Sequence, residues 1–404
     1  MSVLNGKKIL LGISGGIAAY KTASLVRLFI KAGAHVQVIM TPASKDFITP
    51  LTLSTLSKNP VYSSFYEKEK ENENEKWNNH VALGLWADLM IIAPATANTL
   101  SKMANGVCDN LLIATYLSAK CPVYFAPAMD LDMYKHPSTV ETFSKLKEFS
   151  NTIIPAENGE LASGLSGEGR MAEPENILRF IEADLERKLP LKGIKILITA
   201  GPTYESIDPV RFIGNHSTGK MGFDIAHAAA NMGASVILVT GPSHFKLDNH
   251  LVKIIRVVSA LDMFNACQLY FDQIDVAIAS AAVADYRPKN PAVQKIKKDS
   301  DDFTIQLEKT KDILAYFGEN KKNQYLIGFA LETENEIENA KLKIQKKNLD
   351  LIVLNSLKDE GAGFGKLTNK VTFIDKNFNI EPMELKSKEA VSIDILNKII
   401  KHYA

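Results

Sequence analysis

The strongest constraint on the fold is a pattern that occurs twice, roughly 190 residues apart. The first copy runs from GKKILLGISGGIAAYK (6–21) to KAGAHVQVIMTPAS (31–44), and the second from GIKILITAGPT (193–203) to NMGASVILVTGPS (231–243). Each copy is a β-branched run, a glycine-rich turn, a stretch with helical spacing and a second apolar run, which is typical of a βαβ unit. Because 404 residues also exceed what one hydrophobic core usually serves, the pattern predicts two domains.

Five further apolar runs are typical of buried strands, and helical patterns separate them. They are LMIIAPA (89–95), PVYFAPA (122–128), DVAIASAA (275–282), YLIGFA (325–330) and DLIVLN (350–355). This alternation predicts an α/β chain of two doubly wound, Rossmann-like domains with mainly parallel sheets, which bind ligands at the carboxyl ends of the strands. A charged helix runs into Pro190 and a strand follows at once, so we place the domains at 1–190 and 191–404.

Charge, cysteine spacing and the length of apolar runs exclude several classes of protein. The formal net charge of +1 gives no reason to expect a nucleic acid or an anionic membrane as a partner. Cys108, Cys121 and Cys267 lack paired or zinc-ligand spacing, so we expect no disulfide and assign no residue as a metal ligand. No apolar run reaches the roughly 18 residues of a membrane span, and we expect a cytoplasmic protein.

The glycine turns limit the choice of nucleotide site. The first turn, GISGGIAAYK, lacks the G-x-G-x-x-G spacing of dinucleotide sites, which disfavours a nicotinamide-dependent reductase. A turn of small residues at a helix N-terminus can still bind one phosphate. The second copy carries an insertion with GNHSTGK (214–220), but Met221 stands where a P-loop needs Ser or Thr. We therefore expect a phosphate-contacting loop of another kind.

A third glycine-rich stretch, GELASGLSGEGRM (159–171), predicts a lid over a site. Glycine has many backbone conformations, so such a stretch stays mobile until something holds it. A plain linker is the alternative interpretation.

Several motifs together carry a resemblance to a known family. SGGIAAYK, PATANTLSKMANGVCDNLL, His80 and PAMDLDMY are similar to the FMN-binding cysteine decarboxylases. Nearly the whole chain resembles the bifunctional phosphopantothenoylcysteine decarboxylase and phosphopantothenate–cysteine ligase of coenzyme A biosynthesis. The resemblance implies an FMN-dependent decarboxylase in residues 1–190 and a CTP-dependent ligase in residues 191–404. It also implies 4′-phosphopantothenate, cysteine and CTP as substrates, Mg²⁺ with CTP, and a large homo-oligomer built from trimers and dimers.

The resemblance assigns roles in the first domain. His80 matches the active-site base. Two positions depart from the family: Asp130 replaces the asparagine that holds the substrate carboxylate, and Ser163 replaces the cysteine that reprotonates the enethiolate intermediate. A hydroxyl is a poorer acid than a thiol, so Ser166 or a water could act instead, and Arg170 could pair with a substrate anion. The implied cofactor contacts are Ser14, Gly15, Gly16, Thr41, Ala95, Thr96, Asn98, Ser101 and Met133.

In the second domain, Asn215 matches the asparagine tied to acyl-cytidylate turnover, and Lys295 the lysine needed when cysteine attacks that intermediate. The alternating runs QKIKK and FTIQLE flank the turn DSDD, which predicts a hairpin flap that carries Lys295 over the nucleotide. Lys311 replaces a proline of the family. The implied substrate contacts are Ala281, Asp285, Lys311, Asp312, Ile313, Leu314, Phe329, Lys343 and Lys347.

Two alternatives stay open at this point. The first domain could be a regulatory FMN-binding protein, or the chain could be a working ligase with an impaired decarboxylase. Both would explain the changes at Asp130 and Ser163.

Overall fold

The computed structural model describes residues 2–68, 75–161, 164–297, 304–332, 334–356 and 365–403. The chain forms two compact units, Met1–Arg187 and Lys188–Ala404. Among these described residues, no helix combines the length and the apolar character needed to cross a lipid bilayer.

The first unit begins with a strand and a short 3₁₀ helix at Ile17–Lys21, and a second 3₁₀ helix lies at Pro42–Asp46. Its strands are β1 (Lys8–Ile13), β2 (His35–Met40), β3 (Val61–Tyr62), β4 (Tyr66–Lys68), β5 (Glu75–Trp77), β6 (Leu89–Ala95), β7 (Val123–Pro127), β8 (Thr152–Ile153), β9 (Glu157–Glu160) and β10 (Ser166–Arg170). Its helices are α1 (Thr22–Lys31), α2 (Pro50–Ser57), α3 (His80–Trp86), α4 (Ala97–Asn105), α5 (Leu111–Ser118), α6 (Leu131–Lys135), α7 (Pro137–Glu148) and α8 (Pro174–Arg187).

The main sheet of the first unit has the order β3-β2-β1-β6-β7-β8, and its neighbouring strands are parallel. Side chains alternate along β1, so Ile9 and Leu11 enter the core under α1 and α8, and Leu10 enters the core under α4 and α5. The strand order reverses between β1 and β6. In a doubly wound sheet this switch point is where two loops part and leave a crevice for a ligand.

The second unit repeats the design with a larger sheet. Its strands are β11 (Lys195–Ala200), β12 (Tyr204–Ser206), β13 (Phe212–Gly214), β14 (Ser235–Thr240), β15 (Val252–Arg256), β16 (Val276–Ala279), β17 (Tyr286–Pro288), β18 (Leu307–Lys309), β19 (Tyr325–Glu332), β20 (Leu351–Ser356), β21 (Thr368–Asn369), β22 (Val371–Asp375), β23 (Ile380–Pro382) and β24 (Lys386–Ser387). Its helices are α9 (Lys220–Asn231), α10 (Ala260–Phe271), α11 (Ile313–Asn320), α12 (Glu336–Lys346) and α13 (Lys388–Tyr403).

The second sheet has the order β15-β14-β11-β16-β19-β20-β22-β23. Its first six strands are parallel, and β22 and β23 extend it in the antiparallel sense. Its switch point lies between β11 and β16, so the long insertion after β11 and the loop after β16 meet at one edge. The predicted fold class, two doubly wound α/β units with mainly parallel sheets, is confirmed, and all five isolated strand predictions correspond to strands β6, β7, β16, β19 and β20.

Candidate functional sites

Ser14 joins the two loops at the first switch point. Its hydroxyl donates to the carbonyl oxygen of Pro94 at 2.7 Å and accepts a bond from the amide of Thr96 at 3.0 Å. The side chain is 1% exposed, so these bonds fix the end of β1 against the end of β6. Ala95, fully buried in β6, contributes a carbonyl that accepts from the amide of Ala128 at 3.1 Å.

The glycine turn lies in close contact with neighbouring loops. A Cβ at Gly15 would lie 2.8 Å from the Cβ of Ala43, and one at Gly16 would lie 3.3 Å from Cγ2 of Thr96. Position 15 therefore accepts only glycine without a backbone shift. Beside this turn, the buried hydroxyl of Thr41 has no hydrogen-bond partner among the described residues. An unpaired buried hydroxyl is costly, which indicates that a ligand satisfies it.

The N-terminus of α4 completes this region. Thr96 occupies the N-cap position, but its side chain caps no backbone amide of the helix and instead approaches the hydroxyl of Thr99 at 3.3 Å. The first-turn amides are thus open to an acceptor from a ligand. Asn98 and Ser101 are exposed on this helix. Met133 lies on α6 and is 50% exposed.

His80 is the first residue of α3, after an N-cap at Asn79. Its ring packs edge-on against Phe65 and Trp77, with centroids 6.1 and 6.2 Å away, and its buried Nδ1 has no partner within the described ranges. His80 does not line the cavity that contains Asp130. The two predicted catalytic residues, His80 and Asp130, therefore do not line one cavity in the described part of the first unit.

The glycine-rich stretch forms a hairpin of β9 and β10 that closes on the segment before α6. The amide of Met129 donates to the carbonyl of Gly169 at 3.1 Å. A Cβ at Gly169 would lie 2.5 Å from the carbonyl oxygen of Met129, and one at Gly167 would lie 2.7 Å from a methyl group of Leu131. Glycine at 167 and 169 is therefore required for the close contact between the predicted lid and the residues around the start of α6. Ser163 lies outside the described residues.

Beneath the hairpin lies a cavity of about 500 Å³. Its lining residues come from the first 3₁₀ helix, the segment before α6 and the hairpin: Ile17, Ala18, Tyr20, Lys21, Ala128, Met129, Asp130, Glu160, Leu161, Gly169, Arg170 and Met171. Two predicted site residues, Asp130 and Arg170, thus share one cavity.

The cations of this cavity are linked by a carboxylate that sequence reasoning missed. Glu173 accepts from Lys21 at 2.9 Å and from Arg170 at 2.6 Å. The hydrogen bond from Lys21 lowers the pKa of Glu173 and burial raises it, but the charges of Lys21 and Arg170 lower it further, so the pKa is lowered overall. Lys21 and Glu173 are 152 positions apart, so no local sequence pattern could have paired them.

At the second switch point, one cavity of about 670 Å³ gathers ten of the residues predicted from the sequence. They are Asn215, Ala281, Asp285, Lys311, Asp312, Ile313, Leu314, Phe329, Lys343 and Lys347. They come from five separate segments of the chain, so their convergence depends on the sheet order.

Lysines and two carboxylates set the charge of this second cavity. Lys347 forms an ion pair with Asp312, and Lys343 donates to the carbonyl of Phe329 at 2.8 Å. Burial lowers the pKa of Lys343, and the charge of Lys347 lowers it further. Burial raises the pKa of Asp312, but the hydrogen bonds from Lys347 and the Ala315 amide outweigh it, so the pKa is lowered.

Asn215 fastens the insertion to the loop after β16. Its side-chain amide donates to the carbonyl of Ala282 at 3.0 Å and to that of Val283 at 3.4 Å. The buried hydroxyl of Thr203 accepts from the amide of Ala284 at 2.9 Å and holds the same loop.

Lys295 does not line this cavity, and the expected hairpin was predicted with the wrong partner strand. Residues 294–297 form no strand, and the turn at 299–302 lies outside the described residues. The antiparallel pair is instead β17 with β18. Lys295 is exposed, and its position is fixed through its neighbour Ile296. The amide of Ile296 donates to buried Asp208 at 3.2 Å, and the carbonyl of Ile296 accepts from Arg211 at 2.7 Å.

A third, smaller cavity of about 160 Å³ adjoins the second cavity and lies at the N-terminus of α9. Gly219 is the N-cap, with φ +86, and no side chain caps the helix. Lys220 pairs with Asp224 at 2.9 Å and Glu389 at 2.6 Å, and these carboxylates outweigh burial and raise its pKa. Asn369 also lines this cavity, and its buried Oδ1 has no partner within the described chain.

Comparison with known proteins identifies the family. The flavoprotein family matches residues 2–186, and the family of DNA/pantothenate metabolism flavoprotein C-terminal domains matches residues 191–403. The chain is 44% identical over 399 residues to the coenzyme A biosynthesis bifunctional protein CoaBC of Bacillus subtilis (strain 168), covering 98% of this chain and 97% of that protein. The chain belongs to the CoaBC family. It is thus a bifunctional enzyme of coenzyme A biosynthesis, with a flavoprotein unit followed by a ligase unit.

Two further similarities bear on this CoaBC family member. It is 53% identical over 358 residues to a cysteine/cysteine sulfinic acid decarboxylase of an unknown prokaryotic organism, covering 87% of this chain and 99% of that protein. A crystal structure of the C-terminal domain of a CoaBC protein is 42% identical, with a TM-score of 0.46, and covers 53% of this chain and 98% of that one.

Proposed function

We propose that the second unit couples 4′-phosphopantothenate with cysteine through an acyl-cytidylate made from CTP. We propose that the first unit then decarboxylates 4′-phosphopantothenoylcysteine to 4′-phosphopantetheine with FMN. The observation that carries the ligase assignment is the single cavity at the β11/β16 switch point that contains ten of the residues implied by the family resemblance.

The chemistry of the ligase cavity suits a nucleotide. Charge develops on the α-phosphate when the substrate carboxylate attacks it, and Lys311, Lys343 and Lys347 supply cations for that charge. Asp285 is exposed and can accept bonds from ribose hydroxyls. The remaining phosphates would extend toward the open amides at the start of α9.

We propose that Mg²⁺ enters with CTP. Within the described part of the chain no group of three His, Cys, Asp or Glu side chains could hold a metal ion. An ion held mainly by nucleotide phosphates and water is usual for Mg²⁺.

The first unit fits FMN on three observations. The hydroxyl of Thr41 is buried without a described partner, Gly15 permits the close approach of the loop at Ala43, and the Thr96 side chain does not cap the first turn of α4. We propose that Ser14, Gly15, Gly16, Thr41 and Thr96 hold the flavin phosphate and ring, and that His80 acts as the base. Bound FMN would supply reversible oxidation of the substrate thiol carbon. Arg170 and Lys21 would orient the anionic end of the substrate.

We propose a cytoplasmic homo-oligomer in which a neighbouring copy completes the flavin site. Large apolar side chains of the first unit are exposed, among them Ile17 (61%), Trp77 (51%) and Leu85 (58%), and His80 lies outside the cavity of Asp130. Light scattering during gel filtration measures the mass, and a monomer would contradict this part of the proposal.

One anaerobic experiment tests the decarboxylase. The purified chain is mixed with 4′-phosphopantothenoylcysteine while the visible flavin band is followed and the products are identified by mass spectrometry. Formation of 4′-phosphopantetheine with recovery of the flavin colour is the expected result. Bleached flavin with trapped enethiol would show that the final protonation fails. Absence of any reaction would contradict the decarboxylase assignment and leave the ligase as the one remaining proposed activity.

The ligase is tested separately on the same preparation. Release of CMP that requires both 4′-phosphopantothenate and cysteine is expected, and Asn215→Asp should abolish it. CMP release that does not depend on 4′-phosphopantothenate would contradict the ligase assignment.

A second candidate for the first unit is decarboxylation of free cysteine. The similarity to the cysteine/cysteine sulfinic acid decarboxylase motivates it, and the aspartate at position 130 favours it.

A further inference from the structure

Asp208 lies in the turn between β12 and β13, within the insertion after β11. Its side chain is 0% exposed, although Val210 and Arg211 beside it are exposed. One carboxylate oxygen, Oδ1, accepts from the amides of Val210 and Arg211, each at 2.8 Å. Aspartate followed by proline favours such a turn, because the carboxylate bonds to nearby amides and proline fixes its own φ. Oδ1 therefore accounts for the turn by itself.

The other oxygen, Oδ2, contacts a distant segment. It accepts from the amide of Ile296, 88 positions away, at 3.2 Å, and it lies 3.4 Å from Nε of Arg211. Arg211 donates in turn to the carbonyl of Ile296 at 2.7 Å. Burial raises the pKa of Asp208, but the hydrogen bonds from the amides of Val210, Arg211 and Ile296 outweigh it and lower the pKa, so the carboxylate is ionised at neutral pH. One ion pair thus holds both backbone groups of Ile296.

These bonds connect the segments that carry two ligase residues implied by the family resemblance. Strand β13 ends at Gly214, immediately before Asn215, and Lys295 immediately precedes Ile296. Residues 294–297 form neither helix nor strand, so bonds to other segments fix their path. Asp208 therefore lies where the insertion that carries Asn215 contacts the segment that carries Lys295.

We propose that Asp208 is a positioning residue of the ligase, which holds Lys295 in place for the attack of cysteine on the acyl-cytidylate. This inference rests on the proposed ligase function. In the first half-reaction the substrate carboxylate attacks the α-phosphate of CTP, and pyrophosphate leaves. In the second, the cysteine amine attacks the acyl carbon, the bond from that carbon to the CMP oxygen breaks, and the nitrogen loses a proton. Since the resemblance assigns Lys295 to the second half-reaction, Asp208 acts on that step.

The substitution Asp208→Asn separates the roles of the two oxygens. Its remaining Oδ1 still accepts from the amides of the turn, whereas Nδ2 is a donor and cannot accept from Ile296. The segment of Lys295 then loses its anchor, while the turn before Asn215 keeps its hydrogen bonds. The substitution therefore affects one half-reaction and not the other.

The test measures the two half-reactions separately, in single turnovers of the full-length chain. Without cysteine, Asp208→Asn should form pyrophosphate and acyl-cytidylate, identified by mass spectrometry, at the rate of the wild type. Added cysteine should then release CMP about tenfold more slowly than in the wild type, the usual effect of losing a hydrogen bond to a charged group. The matched control is Asp272→Asn, which removes an exposed ion pair with Lys322 and should leave both rates unchanged.

A combined variant shows whether Asp208 acts through Lys295. Lys295→Ala should itself slow the cysteine step, and adding Asp208→Asn should slow that step no further, because the two residues act as one unit. Ile296→Pro removes the same hydrogen bond from the other side with the Asp208 turn intact, and it should produce the same selective loss. Formation of pyrophosphate reports that the second unit of each variant is folded.

The outcomes distinguish this inference from the ligase function itself. Equal slowing of pyrophosphate and CMP release in both Asp208→Asn and Ile296→Pro would overturn the inference and leave the ligase standing. Losses that add in the combined variant, or an unchanged cysteine step in Lys295→Ala, would do the same. Absence of acyl-cytidylate from the wild type would overturn the ligase function and the inference together.

Discussion

Replacing Gly169 with alanine should detach the hairpin from the first unit without unfolding that unit. The new Cβ would lie 2.5 Å from the carbonyl oxygen of Met129, and the residue has φ +143, where L-residues are strained. Backbone strain of this kind costs about 1–3 kcal/mol, and a core overpacked by one group costs about as much again. The hydrogen bond from Met129 to Gly169 contributes only about 0.5–1.5 kcal/mol. The bond is therefore too weak to hold the hairpin closed.

Hydrogen exchange measured by mass spectrometry provides the assay. Peptides from residues 157–170 and the amide of Met129 should lose protection in Gly169→Ala, while β1 and β6 keep theirs. Gly164→Ala is the matched control, because Gly164 also has positive φ, +81, but nothing lies within 4 Å of its added Cβ. Decarboxylation should fall in Gly169→Ala while ligase activity stays constant. Equal protection of the hairpin in Gly169→Ala and Gly164→Ala would refute the argument that glycine is needed at position 169 because of close contact rather than flexibility.

Three further predictions concern stability, the ligase and pH. Tyr124→Phe should lower the free energy of unfolding by about 1–2 kcal/mol in urea titrations, because buried Tyr124 donates to Asp184 at 2.7 Å; no change would contradict a role for this bond. Asn215→Asp should reduce CMP release at least about a hundredfold, or about 2.7 kcal/mol, because a carboxylate would face the carbonyls of Ala282 and Val283; a milder loss would place Asn215 outside the chemistry. Burial raises the pKa of Cys267 from about 9.0 to about 12, so the protonated thiol is favoured in the folded state. The folding stability that this thiol contributes is fully present below pH 9 and declines toward pH 12, by at most about 1.4 kcal/mol per pH unit. Alkylation at pH 8 should modify exposed Cys108 and spare Cys267 until the chain unfolds, and equal rates would contradict this.

Much of the fold could be predicted because it depends on local patterns. The apolar runs at 89–95 and 325–330 are continuous, since strands of a parallel sheet are covered on both faces. Gly-Ala before β2 and β14 marks where a helix ends and a strand begins, and the turns after β1 and β11 mark where a strand ends. The flap prediction was wrong for the opposite reason. QKIKK alternates like a strand, yet the amide of Ile296 within it donates to Asp208, and no local pattern encodes that contact.

For the sites, too, the sequence could assign residues but could not predict contacts between distant segments. The family resemblance assigned residue types to the ligase, and the sheet order then brought Asn215, Asp285, Phe329 and Lys347 into one cavity. The Lys21–Glu173–Arg170 group could not be predicted, because charged residues far apart in sequence have many possible partners. The ion pair between Lys347 and Asp312 could not be predicted for the same reason.

The sequence by itself determined two βαβ-based units, the elements within them, and the residue types available at each loop, because hydrophobic periodicity and glycine positions act over a few residues. Tertiary structure alone decided which loops meet at each switch point, that Gly169 must lack a side chain, and that Asp130 shares a cavity with Glu160 while His80 does not. These outcomes depend on strand order and on contacts between distant segments, where exclusion of atoms and pairing of charges act through space and leave no local pattern in the sequence.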